Sequence, residues 1–297
     1  MVTLATVLEC VPNVSEGRDL TTLREVADSC GRSLLDVHTD ADHHRSVFTL
    51  AGPESNDAIG ATRELAGAVA ARLTIAGHEG VHPFLGALDV VPFVALDGLA
   101  RERRLAAVAA VEFGQWWAER YGVPVFLYDD ADAERRDLPS VRRDAFGSRR
   151  PDFGPDAPHP SLGASAVGAR RPLVAVNLVL VTHDVAVARR IAREVRARDG
   201  GLPGVRALGL ALASAERAQV SMNLVDLERT GIEAACLEVR RLARLEGTDV
   251  DSVEIVGLVP RCDLDRCSDE FLSWARIDAS VVGVEARIGG NPRPSPG

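Results

Sequence analysis

The sequence predicts an α/β protein of the α+β type, made of two ferredoxin-like βαββαβ subdomains with helices on one face of each mixed sheet. Apolar runs of strand length alternate with stretches whose apolar residues recur at helical spacing, and the same order of elements occurs twice along the chain. The length of 297 residues is enough for two modules with a core each.

The first half of the chain starts with a short apolar run at 8–14, followed by apolar residues at helical spacing from Leu20 to Ala27. The rest of this half is predicted as strands at 33–37 and 46–50, a helix around 65–73, a strand at 88–96, a helix through Trp116 and Trp117, and a strand at 123–128. The first six of these elements give the order βαββαβ.

The second half repeats this order, with a strand at 173–180, a helix at 187–195, a hairpin of strands at 208–212 and 220–224, a helix at 232–239 and a strand at 255–259. We therefore expect an N-terminal subdomain over 1–172 and a C-terminal subdomain over 173–285. Residues 131–171 lack a sustained period and predict a long loop between the two cores, and loops of this length are usually functional or disordered. Gly, Asn and Pro near the end predict a flexible tail over 286–297.

The composition excludes several classes of function. A formal net charge of -9 repels polyanions, so no nucleic-acid partner is expected. Every basic residue is arginine, which excludes a Schiff-base lysine and the lysine of a P-loop. Five cysteines without a Cys-x-x-Cys pair indicate reduced thiols and a cytoplasmic location. No stretch is long and apolar enough to predict a membrane span.

His82 is the candidate catalytic residue. It precedes Pro83, which favours an extended backbone for the residue before it. Gly80 and Gly86 flank it and place the imidazole in a loop that leads into the strand at 88–96. An unperturbed imidazole has a pKa of about 6.5, so it can accept and return a proton near neutral pH. The alternative is a histidine that only caps a turn.

A second group of polar residues lies between two predicted strands. Three histidines and two carboxylates occur from His38 to Arg45, and side chains of these types bind zinc and similar ions. The spacing matches no established ligand pattern, and adjacent His43 and His44 are expected to point in different directions. A polar hairpin turn is therefore the favoured interpretation, and we expect no metal.

Nine stretches of the chain resemble the formiminotransferase domain family. They follow the family's order from near residue 8 to near residue 260, and so extend over most of the chain. Each stretch alone is weakly diagnostic, whereas the set is specific. The stretches are Glu9–Gly17, Leu34–Asp36, His44–Leu50, His82–Pro83, Gly86–Phe93, Pro151–Pro155, Gly168–Arg170, Ala218–Asn223 and Gly257–Pro260.

The resemblance implies a cytoplasmic enzyme of histidine breakdown that transfers a formimino group from N-formimino-L-glutamate, or a related amine donor, to tetrahydrofolate as co-substrate. His82 corresponds to the family's catalytic histidine, a general acid and base. A homodimer with small-molecule substrates is expected, without a nucleic-acid, membrane or metal partner. The family's folate-binding segment corresponds to Gly154, Pro155, Asp156, Ala157, Pro158, His159, Pro160, Ser161, Leu162 and Gly163.

Both substrates implied by the resemblance carry carboxylates, so residues that bind or balance charge are further candidates. The substrate-binding candidates are Asn13, Asp36, His38, Arg45 and Arg170. Arginine offers a carboxylate a planar pair of donors. His38 stands where some relatives of this family carry an aspartate that orients the catalytic histidine, and either Asp36 or Asp40 is the carboxylate that could substitute for it.

Two positions beside His82 depart from the family pattern. Val81 stands where relatives usually carry an acidic residue, and Phe84 where they usually carry arginine. Two alternatives stay open, the first because of these departures and the second because of the group of polar residues from His38 to Arg45. One is a folate-binding protein without transferase activity. The other is a metal-dependent hydrolase that uses His38, Asp40, Asp42 and His43.

Overall fold

The computed structural model describes residues 7–96, 100–212 and 216–288. The chain divides into two compact units, and the division falls after Arg171. Each unit has its own hydrophobic core. Within the described ranges, no helix is long and apolar enough to cross a bilayer. From residue 289 onward, the tail predicted at 286–297 lies outside the described residues.

The strands of the first unit are β1 (Leu8–Cys10), β2 (Asn13–Val14), β3 (Leu34–Asp40), β4 (Arg45–Ala51), β5 (Leu88–Ala95), β6 (Val125–Asp129) and β7 (Ser165–Arg170). They form one sheet in which β1 and β2 occupy a single strand position, interrupted at Pro12. The spatial order is β3, β4, β1 with β2, β5, β7, β6. β7 pairs parallel with β5 and β6, and the other pairings are antiparallel, so this sheet is mixed as predicted.

Three helices share a core on one face of this sheet: α1 (Leu20–Ser29), α2 (Ser55–Arg72) and α3 (Ala100–Tyr121). Asp19 is the N-cap residue of α1, and its carboxylate accepts hydrogen bonds from the backbone N–H groups of Thr21 and Thr22. Trp117 on α3 is fully buried, and its indole N–H donates to the Ser165 hydroxyl at 3.0 Å. The largest side chain of the core therefore has its polar atom satisfied.

A fourth helix, α4 (Leu138–Asp144), lies on the opposite face of the sheet. Its Val141 packs with Val90, Phe126 and Ala166. These strand residues alternate with Val91, Leu127 and Val167, which belong to the core under α1, α2 and α3. Side chains of one strand therefore reach both faces, and the face with α4 is the one that carries the polar residues described below.

The structure differs from the prediction between 131 and 171, where a long loop was expected and both α4 and β7 occur. β7 has the sequence Ser-Ala-Val-Gly-Ala-Arg, so it lacks the large apolar residues that mark a strand. Small residues fit because Gly168 pairs with Tyr128, and a Cβ atom on Gly168 would lie 2.5 Å from the tyrosine ring. The aromatic ring occupies the space that a side chain would need.

The second unit contains β8 (Val174–Leu180), α5 (Val185–Val195), β9 (Val205–Leu212), β10 (Arg217–Leu224), α6 (Ile232–Leu245) and β11 (Val250–Val256). Its strands lie in the spatial order β11, β8, β10, β9. Position by position, these strands correspond to β5, β1 with β2, β4 and β3 of the first unit. α5 and α6 share one core against this sheet. The predicted fold class is confirmed, although the second sheet is antiparallel throughout. The first becomes mixed only because β6 and β7 extend it.

Two details of the second half also differ from the prediction. The last strand was expected at 255–259, but β11 ends at Val256, and the short helices α7 (Arg261–Leu264), α8 (Asp269–Ala275), α9 (Ala279–Val282) and α10 (Val284–Ile288) follow. The first strand of the hairpin was expected at 208–212, but β9 begins at Val205, and Leu208 within it is 45% exposed. Its neighbour Gly209 faces α5 instead, where a Cβ atom would lie 2.3 Å from the backbone nitrogen of Arg189. α5 approaches β9 too closely for a leucine to face it.

Candidate active site

His82 lies in the loop between α2 and β5, and its side chain is partly exposed. Its Nδ1 atom is 2.8 Å from the carbonyl oxygen of Pro83. A carbonyl oxygen only accepts hydrogen bonds, so Nδ1 carries the proton in this contact. In the neutral ring the Nε2 atom then has no proton and can accept one. The loop thus selects the nitrogen of His82 that is available as a base.

Asp89 is a fully buried carboxylate that binds the loop carrying His82. The register between β2 and β5 shifts by one residue here, which makes Asp89 the extra residue of a β-bulge. Its Oδ1 accepts from the Leu85 N–H at 2.7 Å, and its Oδ2 accepts from Arg45 and Arg142 at 2.5 Å each. Burial raises the pKa of this carboxyl, but the two arginines and the Leu85 N–H outweigh burial and hold the pKa below its ordinary value.

The two arginines that bind Asp89 also meet at the carbonyl oxygen of Pro83. Arg45, at the start of β4, donates to this oxygen from Nη2 at 3.0 Å and to Asn13 Oδ1 from Nη1 at 2.7 Å. Arg142, on α4, donates to the same carbonyl from Nη1. The oxygen that fixes the His82 ring is therefore itself held by two guanidinium groups.

The charges around His82 keep its ring neutral in the free protein. Burial and the positive charges of Arg45 and Arg142 lower the pKa of His82 to about 3. The pKa of His82 in the free protein therefore lies well below the value of about 6.5 for an unperturbed imidazole. Two guanidinium groups and the carboxylate of Asp89 leave one positive charge in excess, so a bound anion would make protonation of His82 easier.

A hairpin turn was predicted within His38–Arg45; the structure has it at 41–44, where it joins β3 to β4 next to His82. The backbone N–H of His43 donates to Asp40 Oδ1 at 2.8 Å, and the His43 ring centroid lies 6.1 Å from that of His82. Among the described residues, no group of three or more His, Cys, Asp or Glu side chains is placed to hold a metal ion. The candidates His38, Asp40, Asp42 and His43 are thus not gathered into such a group, and the polar turn that the sequence favoured is what the structure contains.

His44 connects this turn to the loop that carries His82. Its Nδ1 atom donates to the carbonyl oxygen of Glu79 at 2.9 Å, and its Nε2 atom lies 3.2 Å from Glu16 Oε1. The ring stacks on His78 at a centroid distance of 4.1 Å, and His78 in turn meets the edge of Phe84 at 4.5 Å. Phe84, one of the departures from the family pattern, therefore belongs to a group of rings that packs the loop against the turn.

The predicted folate-binding segment at 154–163 ends beside the loop of His82. The Ala87 N–H donates to Leu162 O at 3.0 Å, and the Ile75 N–H donates to Ser161 O at 2.9 Å. Gly163 has a positive φ of 70°, and a Cβ atom there would lie 2.4 Å from the carbonyl oxygen of Leu85. Only glycine lets this segment approach so closely. The part of the segment from 154 to 158 is exposed.

The substrate-binding candidates are only partly brought together. Asn13 and Arg45 contact each other in the network around Pro83. Asp36 and His38 lie on β3, paired with Thr49 and Val47, and so share a sheet face with Arg45 farther along the strands. Arg170 ends β7 opposite Val94, about 16 Å along β5 from Asp89 at the usual strand rise, and it donates to its neighbour Arg171. The structure does not bring Arg170 to His82.

Two residues of the network, Asp89 and Arg142, were not among the sequence-based candidates. Asp89 had a visible signal, since a carboxylate inside an apolar run of strand length is costly to bury without a partner. Arg142 had no such signal in the sequence. It is one of several arginines in a stretch without helical or strand periodicity, and it lies far from His82 in sequence. Its role depends on α4 packing against the sheet.

The chain is similar to known proteins over most of its length. The formiminotransferase domain, N-terminal subdomain, matches residues 7–170, and the formiminotransferase domain matches residues 175–282. The glutamate formimidoyltransferases of Streptococcus pyogenes serotype M1 and Thermoplasma acidophilum are 34% and 36% identical to it, over 93% of this chain and 96% and 95% of theirs. The formimidoyltransferase-cyclodeaminase of Sus scrofa is 36% identical over 96% of this chain and 57% of its own.

Proposed function

Because the chain belongs to the formiminotransferase domain family, we propose that it transfers a formimino group from N-formimino-L-glutamate, or a related amine donor, to N5 of tetrahydrofolate, with His82 as general acid and base. The resemblance seen in the sequence is confirmed by the family match, and relatives of nearly the same length are named as transferases of this kind. A cytoplasmic homodimer, as the resemblance implies, is part of the proposal.

The reaction needs a group that takes one proton and returns it. The formimino group is an amidine that is protonated near neutral pH. As N5 bonds to its carbon, the C=N electron pair moves to the terminal nitrogen, and His82 Nε2 takes the proton from N5. His82 then gives this proton to the glutamate nitrogen while the terminal nitrogen re-forms C=N and the bond to glutamate breaks. The products are glutamate and 5-formimino-tetrahydrofolate, with charge and protons balanced.

The observation that carries this proposal is the hydrogen bond from His82 Nδ1 to the Pro83 carbonyl oxygen at 2.8 Å. It supports the role of His82 because it leaves Nε2 as the base and resists rotation of the ring. The excess positive charge from Arg45 and Arg142 supports an anionic substrate beside His82. A carboxylate of the donor or of folate would balance that charge and raise the pKa of His82 toward the working pH.

The position of the segment at 154–163 supports a role in folate binding. Its end is bonded to Ile75 and Ala87, which lie on either side of the loop of His82. Tetrahydrofolate is then the co-substrate, and the proposed chemistry requires no metal.

The proposal is tested by mixing the purified full-length chain with N-formimino-L-glutamate and tetrahydrofolate and acidifying samples over time. We expect the absorbance of methenyl-tetrahydrofolate to develop, and omission of the donor gives the blank rate. N-formimino-L-aspartate and N-formiminoglycine, assayed in parallel, report how strictly the donor is chosen.

A folate-binding titration of the same preparation separates the remaining outcomes. Folate binding without product from any donor contradicts the transferase proposal and favours a folate-binding protein. Product from another donor, with none from N-formimino-L-glutamate, keeps the reaction type and corrects the donor. Absence of folate binding contradicts the proposal as a whole.

A further inference from the structure

Arg142 comes from a part of the first unit that is distant in sequence from His82. It lies on α4, whose N-cap residue Asp137 accepts a hydrogen bond from the Ser140 N–H with its side chain. Its own side chain is only 16% exposed, whereas that of the next residue, Arg143, is 66% exposed and contacts Asp144. Two adjacent arginines on one short helix therefore have very different surroundings.

The guanidinium group of Arg142 makes two contacts that meet at the His82 loop. Nη1 donates to the Pro83 carbonyl oxygen, and Nη2 donates to Asp89 Oδ2 at 2.5 Å. A planar guanidinium group can hold two acceptors at once in a fixed geometry. The Pro83 oxygen also accepts the proton of His82 Nδ1, so Arg142 and His82 are joined through one atom.

We propose that Arg142 is a positioning residue, which holds the Pro83 carbonyl against Asp89 so that the His82 ring keeps its proton on Nδ1 and presents Nε2 to the substrate. The role rests on the proposed function insofar as His82 is the proton carrier. Arg142 itself acts through the carbonyl group and through its charge. It links the catalytic loop to α4, so this helix contributes to the reaction through Arg142.

Arg45 shares the carbonyl and the carboxylate with Arg142, but it is the structural member of the pair. Its side chain is 8% exposed, and it also donates to Asn13 in the neighbouring strand. Removal of Arg142 leaves one arginine opposite one carboxylate, so the buried charges of Arg45 and Asp89 still balance. A variant at position 142 is therefore expected to fold, which makes it the informative one.

The charged and titratable groups that face His82 come from four elements. They are Arg45 of β4, Asp89 of β5, Arg142 of α4 and His43 of the turn at 41–44. Loss of the charge at 142 removes one of the two cations that oppose protonation of His82. The pKa of His82 is about 3 in the wild type, and we expect a higher pKa in a variant that lacks this charge.

The test compares Arg142→Met, Arg142→Lys and the control Arg143→Met in the full-length chain. We expect Arg142→Met to lower kcat by about tenfold or more with a much smaller change in KM, and to raise the pKa of His82, followed by NMR, by about one pH unit. Arg142→Lys keeps the charge but not the paired donors, so it should lower kcat with little change in that pKa. Arg143→Met should match the wild type in both measurements.

The NMR titration makes the result independent of the identity of the substrates. An unchanged pKa of His82 in Arg142→Met overturns the proposal even if no transfer substrate has been found. A wild-type kcat in Arg142→Met also overturns it. If the wild type transfers nothing to tetrahydrofolate while the pKa of His82 rises as expected, the proposed function fails and the positioning of His82 by Arg142 stands.

Discussion

Replacement of His82 by glutamine is expected to lower the rate of formimino transfer by about 10²- to 10⁴-fold, the range for loss of a general acid and base. A glutamine amide can still donate to the Pro83 carbonyl oxygen, but it has no basic nitrogen to take a proton from N5. Folate affinity should change little, because the segment at 154–163 is held through its own backbone bonds to Ile75 and Ala87. Single-turnover assays at saturating substrates, with folate titrations alongside, measure both quantities.

The matched control for this variant is His183→Gln in the second unit. His183 is exposed, and its Nδ1 atom donates to the backbone carbonyl oxygen of Glu216 at 2.6 Å, so its local hydrogen bonding is like that of His82. It lacks the buried arginines and carboxylate around His82, and the transfer rate should be that of the wild type. A His82→Gln enzyme within about threefold of this control would show that the imidazole carries no proton in the reaction.

Replacement of Asp89 by asparagine is expected to have the largest effect on stability, about 3–5 kcal/mol in the free energy of unfolding. The substitution keeps the shape of the side chain but leaves Arg45 and Arg142 in a buried site without their anion. Urea unfolding followed by circular dichroism measures the loss. The control is Glu25→Gln, which removes a carboxylate from an ion pair with Arg72 whose two side chains are 55% and 39% exposed. We expect a change below about 1 kcal/mol for this control.

The pH dependence of unfolding distinguishes the charge of Asp89 from its shape. The folded-state pKa of this carboxyl lies below its ordinary value, despite burial, because of the two arginines. Its contribution is therefore complete above the unfolded-state pKa of about 3.9 and is lost as the pH falls through the folded-state pKa. The Asp89→Asn variant has no carboxyl group to protonate at this position. Its stability should therefore not show this decrease at low pH. A variant as stable as Glu25→Gln at neutral pH would contradict the assigned network.

The two βαββαβ units were predictable because their strands and helices carry strong apolar patterns. Leu65 on α2 and Trp117 on α3 recur in helical registers and are fully buried, and the run Val174–Leu180 is a central strand. These elements carry their own signal, whereas the strand order does not follow from it, because β8 pairs with β10 and β11 and, among the described strands, only β3–β4 and β9–β10 are hairpins. The sequence therefore predicts the fold class, including the duplication.

The elements that escaped prediction depend on tertiary contacts. β7 is built from small residues that become a strand between β5 and β6, where Gly168 lies against the Tyr128 ring. α4 is short, and it joins the small core on its face of the sheet through Val141 and the partly buried Leu138. Neither has enough apolar periodicity of its own, since the surrounding sheet supplies the packing.

The candidate site shows the same division between local and tertiary signals. His82 could be found from its neighbours, because Pro83 and the flanking glycines already predict a loop at the entrance to a strand. Its low pKa could not be predicted, since Arg45 and Arg142 reach it only through the folded sheet and α4. The departure at Phe84 was visible, but its contact with His78 was not.

The central claim is that the His82 ring is neutral in the free protein, with its proton on Nδ1 and a bare Nε2. The most direct test is nitrogen NMR of the histidine-labelled protein, with the His82 signals assigned by their absence in His82→Gln. At pH 7 we predict a protonated Nδ1 and an unprotonated Nε2, with no protonation of the ring until the pH falls well below 6. A ring that carries its proton on Nε2, or a cationic ring at pH 7, would contradict the account.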